Sequence, residues 1–115
     1  MDKDKLKKYS RILTQLIKER HKIEKPHFPS VRAEMVIDRK HHHYILMYVG
    51  WEKSTFAYYA VVHFDIIEDK IWIQQNNTDE EGLIEEMLKK GIRSDEIVLA
   101  FLPPEMRKYS GFAVA

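Results

Sequence analysis

Between Tyr44 and Trp51 the chain reads YILMYVGW, a stretch with no charged side chain. A strand alternates its side chains between two faces. A strand with no polar face therefore needs cover on both sides. A helix can supply one cover, and something else must supply the other. Gly50 within this run predicts a bulge or a close backbone approach. Glu52-Lys53-Ser54-Thr55 is a polar hairpin loop, and Phe56 to Ile67 follows as a long strand. Alternation assigns Tyr58, Ala60, Val62, Phe64 and Ile66 to the helix-covered core. It assigns Tyr59, Val61, His63 and Asp65 to the opposite face.

The segments on either side complete the platform. Glu68-Asp69 predicts a two-residue hairpin turn, with Lys70–Gln75 (KIWIQQ) as the return strand. Upstream, Val31, Ala33, Met35 and Ile37 alternate with Arg32, Glu34 and Asp38, which predicts a half-buried strand. From Asp4 to Ile23 the apolar period becomes helical, through Leu6, Tyr9, Leu13, Leu16 and Ile17. Pro26 stops that helix by disfavouring helical geometry in the residue before it. Thr78-Asp79-Glu80-Glu81 is a capping box that opens a second helix. Its end is marked by Gly91, with Ile92 as hydrophobic follower. Ile97–Leu102 reads as a short buried strand or a turn into the core. Pro103-Pro104 opens a short helix, and apolar Phe112-Ala113-Val114 predicts a tail docked on its own core or on another subunit. The expectation is one α+β domain over residues 1–115. It has an antiparallel sheet of about four strands, a long N-terminal helix, a second helix after the sheet and a short C-terminal helix and tail.

At 115 residues the chain can build one core. Cysteine is absent, which fits a reducing cytoplasm. No apolar run nears the ~20 residues that span a bilayer, and no signal peptide is visible. Net charge is +1, but its distribution is uneven. Residues 1–25 carry nine Lys/Arg against four Asp/Glu, and the remainder carries ten against fourteen. On the first helix Lys7, Arg11, Lys18 and Lys22 share the outer face. Solvation is the ordinary role of such a face; phosphate contact is the alternative.

His41, His42 and His43 raise the question of a metal. Strand alternation allows only His41 and His43 to share an ion, with His63 as a conceivable third ligand. No metal or cofactor is expected, and the histidines read as a strand start at the solvent edge. His63 and Asp65 are neighbours on one side of the sheet. They could form a general base with its orienting group, yet no nucleophile motif or glycine-rich loop accompanies them. The structural reading is preferred, and no catalytic residue is assigned. The amides of Gln74, Gln75, Asn76 and Asn77 can read base edges, but more often satisfy loop and cap backbone.

The ordered series VGW, HFDI, KIWIQQNNT, EIVLAFLPPEMRKY and FAVA resembles the XisI family, the fdxN-element excision controlling factors of cyanobacteria. The resemblance runs from about Leu6 to Ala115. It rests on Val49, Gly50 and Trp51, on His63 and Asp65, on Lys70 to Gln75, and on Pro103, Pro104, Arg107 and Tyr109. Ala100 stands where a glycine is expected, and Leu102 where a histidine is expected. The resemblance implies a role in developmentally regulated DNA rearrangement in heterocyst development. It implies action with a XisH-type protein and a site-specific recombinase, and it does not imply that this chain cuts or joins DNA. The leading expectation is a non-enzymatic accessory factor working through protein contacts, and the alternative is direct DNA binding. Candidates for protein contact are Trp51, Tyr59, His63, Asp65, Trp72, Arg107, Tyr109 and Phe112. Candidates for nucleic acid are Lys7, Arg11, Lys18 and Lys22. A homo-oligomer is expected, because one helix-covered face leaves the second apolar face needing a cover.

Overall fold

A computed structural model describes residues 2–78 and 81–115. Helix α1 spans Lys3–Ile23, and strands β1 to β4 span Val31–Asp38, His43–Glu52, Thr55–Ile67 and Lys70–Asn76. Helix α2 spans Glu81–Lys89, and β5 spans Ile97–Leu99. A 3₁₀ turn at Ser94–Glu96 leads into β5, and another covers Pro104–Tyr109. The sheet order is β1-β2-β3-β4-β5. The first four strands form an antiparallel meander, and β5 returns parallel to β4 after α2. The expected sheet of about four strands thus gains one member. Ile97–Leu99 is the strand of the two readings left open for that stretch.

Local chemistry explains the boundaries. The Asp2 side chain accepts from the Asp4 backbone N–H at 2.9 Å and caps α1. Tyr9, Ile12, Leu13, Leu16 and Ile17 are each 1% exposed or less, so the apolar stripe of α1 is buried. It packs across β1, β2 and β3. Glu68 and Asp69 have φ of 47° and 65°, the doubly left-handed geometry of a tight two-residue hairpin. At the end of α2, Ile92 N–H donates to Met87 O and Gly91 N–H to Leu88 O, both at 3.1 Å. This is the paired closure expected at a helix end with glycine after it. The expected capping box at α2 lies partly outside the described residues. Thr78 itself is buried, and its hydroxyl donates to Asn76 Oδ1 at 2.5 Å.

Both helices feed one core. Leu83 and Met87 of α2 join the α1 stripe and the inward row Tyr44, Leu46, Phe64, Ile71 and Ile73. The helices are tied by Arg20, which lies 3.0 Å from Glu86, and by Lys90, which lies 3.3 Å from Glu19. Arg20 is 5% exposed, so its charge depends on Glu86 and on Glu24 at 3.6 Å.

The face assignment of β3 needs correction. Leu46 pairs with Val62 but Met47 pairs with Ala60, so Val61 is an extra residue in a β-bulge. A one-residue shift exchanges the faces of everything before it. Val62, Phe64 and Ile66 face the core as expected, but Tyr58 is 70% exposed. Tyr59 instead stacks edge-on to Tyr48 with ring centroids 5.7 Å apart. A second bulge lies in β4, where His63 pairs with Gln75 and Phe64 with Ile73, leaving Gln74 extra.

Candidate functional site: the open face of the sheet

The helices cover one face only. On the other, β2 presents His43, Ile45, Met47, Val49 and Trp51, all half-buried or exposed. Trp51 meets Phe56 edge-on at 5.2 Å, and the two are 55% and 49% exposed. Tyr58 and, on β1, Val36 extend this apolar patch. The sequence thus placed an apolar second face correctly, and the described residues leave its β1–β3 portion uncovered.

The β4–β5 portion is covered by the chain's own C-terminal segment. Arg107 lies over the Trp72 ring at 5.3 Å. Its guanidinium is aimed by donation to Leu102 O at 3.2 Å and Ala100 O at 3.1 Å. Ala113 N–H donates to Ile97 O at 2.8 Å, and Phe112 packs against the core. The tail therefore docks on its own domain, and the Phe112 side chain is committed inward. Tyr109 remains 74% exposed beside it.

Between these halves lies a polar cluster. His43 and Asp65 are register partners on β2 and β3, and His63 lies two residues from Asp65 on the same side. His43 Nδ1 and His63 Nε2 donate to the same Asp65 oxygen, at 2.7 and 2.8 Å. Gln74 donates to the other oxygen at 3.3 Å. Asp65 is the most enclosed of the three, with its side chain 14% exposed against 27% for His63 and 49% for His43. His41 belongs to a different group: it pairs with Asp38 across the β1–β2 turn at 3.0 Å. The sequence pattern raised His43 beside His41 and His63 as a conceivable ligand, but not its pairing with Asp65 or the contact from Gln74. Turn length alone would set His43 opposite Phe64; the bulge at Val61 shifts the register by one and brings His43 opposite Asp65.

The basic face of α1 forms a separate surface. Lys7, Arg11, Lys18 and Lys22 line an open groove of about 640 Å3 with Ser10, Thr14 and Gln15. Arg39, from the turn between β1 and β2, adds a fifth cation, and Glu19 is the one carboxylate in the lining. Among the described residues, no helix is long and apolar enough to cross a membrane.

The sequence matches the XisI family, described as XisI protein, over residues 1–114. The chain belongs to the XisI family. Among solved structures, a XisI-like protein from Anabaena variabilis ATCC 29413 is 34% identical, with a TM-score of 0.87. The alignment covers 96% of this chain and 99% of that one. The fdxN element excision controlling factor XisI from the same organism is 27% identical, with a TM-score of 0.86 and the same coverage. No curated protein matches the chain. The two solved structures share the fold of this chain over nearly its whole length.

Proposed function

We propose that this chain is a non-enzymatic accessory factor that controls site-specific excision of a DNA element through protein contacts on the open sheet face. The observation that carries the reading is the uncovered apolar patch around Trp51, Phe56 and Tyr58. Large exposed patches rimmed by polar groups mark interaction surfaces, and aromatic side chains dominate binding energy in such surfaces. Kinship with a protein named as an excision controlling factor supplies the process. The partners are a XisH-type protein and a site-specific recombinase, in the cytoplasm. A second copy of the chain is the rival occupant of the patch.

The test is co-elution with a XisH-type protein at micromolar concentration, with light scattering on the chain alone. The expected result is a complex that Trp51→Ser abolishes. Absence of a complex, or one indifferent to Trp51→Ser and Tyr58→Ser together, refutes the assignment. A dimer of the chain alone that the same substitutions dissolve assigns the patch to self-association instead.

A second reading is direct DNA contact through the α1 groove. It is favoured by Arg39, which joins the helix cations from a distant part of the sequence. Phosphate binding weakens steeply as salt rises, so a gel shift at low salt that fades with added salt supports it. No shift at low salt removes it.

A further inference from the structure

We propose that His43, His63 and Asp65 bind one zinc-class divalent ion on the open face of the sheet. The proposal is independent of the partner assignment. It replaces the sequence expectation of no metal, which weighed His41 and His43 as the pair with His63 as a third ligand. The register sets His43 beside Asp65 and leaves His41 at the turn.

The ligand atoms of His43, His63 and Asp65 all lie within 4.8 Å of one another. Tetrahedral coordination with metal–ligand bonds near 2.0–2.1 Å places ligand atoms roughly 3.3 Å apart. The two nitrogens stand 2.7 and 2.8 Å from Asp65 Oδ1, so small side-chain rotations open the space for an ion. In the hydrogen-bonded state each imidazole directs an N–H at the carboxylate. In the metal-bound state each presents a lone pair from that same nitrogen, and its proton moves to the other ring nitrogen. No bond in the backbone changes.

Three features make this a built arrangement. The ligands sit on β2 and β3, central strands that hold geometry better than loops do. Asp65 is enclosed and is oriented through its second oxygen by Gln74, the kind of supporting contact that tunes a metal ligand. His43 is half exposed, which leaves the remaining positions to water. Two imidazoles and one carboxylate suit zinc, cobalt or nickel, whereas magnesium and calcium prefer all-oxygen sets.

Chelator-treated protein should take up one equivalent of Zn2+ by calorimetry, and Co2+ should give the visible absorption of a low-coordinate site. His63→Ala and Asp65→Asn should each weaken Zn2+ binding by more than about 100-fold, beyond the 10- to 100-fold lost with outer-shell partners. His41→Ala should leave binding unchanged. Circular dichroism should show all three variants folded, since the cluster lies outside the apolar core. The proposal is overturned by absence of saturable binding. It is equally overturned by binding that survives His63→Ala and Asp65→Asn, by loss with His41→Ala, or by Mg2+ competing on equal terms.

Discussion

Replacing Gly50 with alanine tests how tightly the first hairpin is closed. Gly50 has a φ of +143°, a region that side chains with a Cβ rarely enter. An added Cβ would lie 2.0 Å from Ser30 O and 2.8 Å from Val31 Cα, both backbone atoms. Neither can swing aside as a side chain would. The register partner of Gly50 is Val31, so relief requires β1 to move off β2. Strain at such a backbone position alone costs about 1–3 kcal/mol. Parting the end of the ladder adds to it, so the expected loss exceeds ~3 kcal/mol. With a urea slope of about 1–3 kcal/mol/M, the midpoint falls by more than ~1 M. Gly111 supplies the control: its φ is +82°, but a Cβ there meets nothing within 4 Å. Gly111→Ala isolates strain without collision and should cost only about 1 kcal/mol. Urea melts followed by far-UV circular dichroism measure both. A Gly50→Ala midpoint within about 0.3 M of the Gly111→Ala midpoint would refute the close-approach argument.

Other outcomes follow from the remaining geometry. Burial would raise the Glu96 carboxyl, but the Tyr9 hydroxyl, the Arg93 backbone N–H and Lys5 outweigh it and hold the group below its ordinary 4.5. A depressed folded-state value gives stability that is complete above the unfolded value and lost as pH falls through the folded one. Urea midpoints should therefore decline below about pH 4.5, and Glu96→Gln should flatten that decline. Trp51→Ser should change unfolding stability in urea little, within about 0.5 kcal/mol, because the ring stands on the exposed face. Any strong effect it has on partner binding then reports on the surface and not on folding. Lys18→Glu with Lys22→Glu should weaken low-salt DNA binding and reduce its salt slope by about two phosphate contacts. An unchanged slope would detach the α1 groove from nucleic acid.

Much of the fold was legible because local signals and the hydrophobic pattern agreed. The α1 stripe, the Glu68-Asp69 turn and the Gly91 closure each follow from a few adjacent residues. The face of β3 before Val62 was not legible, because a single inserted residue leaves a period-two pattern looking intact. Tyr58 and Tyr59 are both aromatic, so composition could not show which one lies on the helix-covered side, beside Tyr48. The polar cluster was half visible for a related reason. His63 and Asp65 are close in sequence, but His43 joins them only through pairing between strands. The parallel return of β5 was hidden because a short apolar run carries no mark of strand direction. In the tail, the seating of Phe112 depended on a bridge to β5 that local pattern does not encode.

The irregularity at Val61 has an effect on how the hairpins can move. A regular antiparallel pair can slide by two residues and keep its hydrogen-bonding pattern and faces, losing only the pairs at the strand ends. Here β3 carries its kink against β2, and β4 carries another against β3, a few residues apart. Sliding either pair would leave a kink facing an unkinked stretch, so the misaligned pairing is penalised at once. The two kinks work like notches on a ruler. They hold His43 opposite Asp65 even when the hairpin ends fray, and they should make the amides around Val62 and Phe64 among the slowest to exchange with solvent.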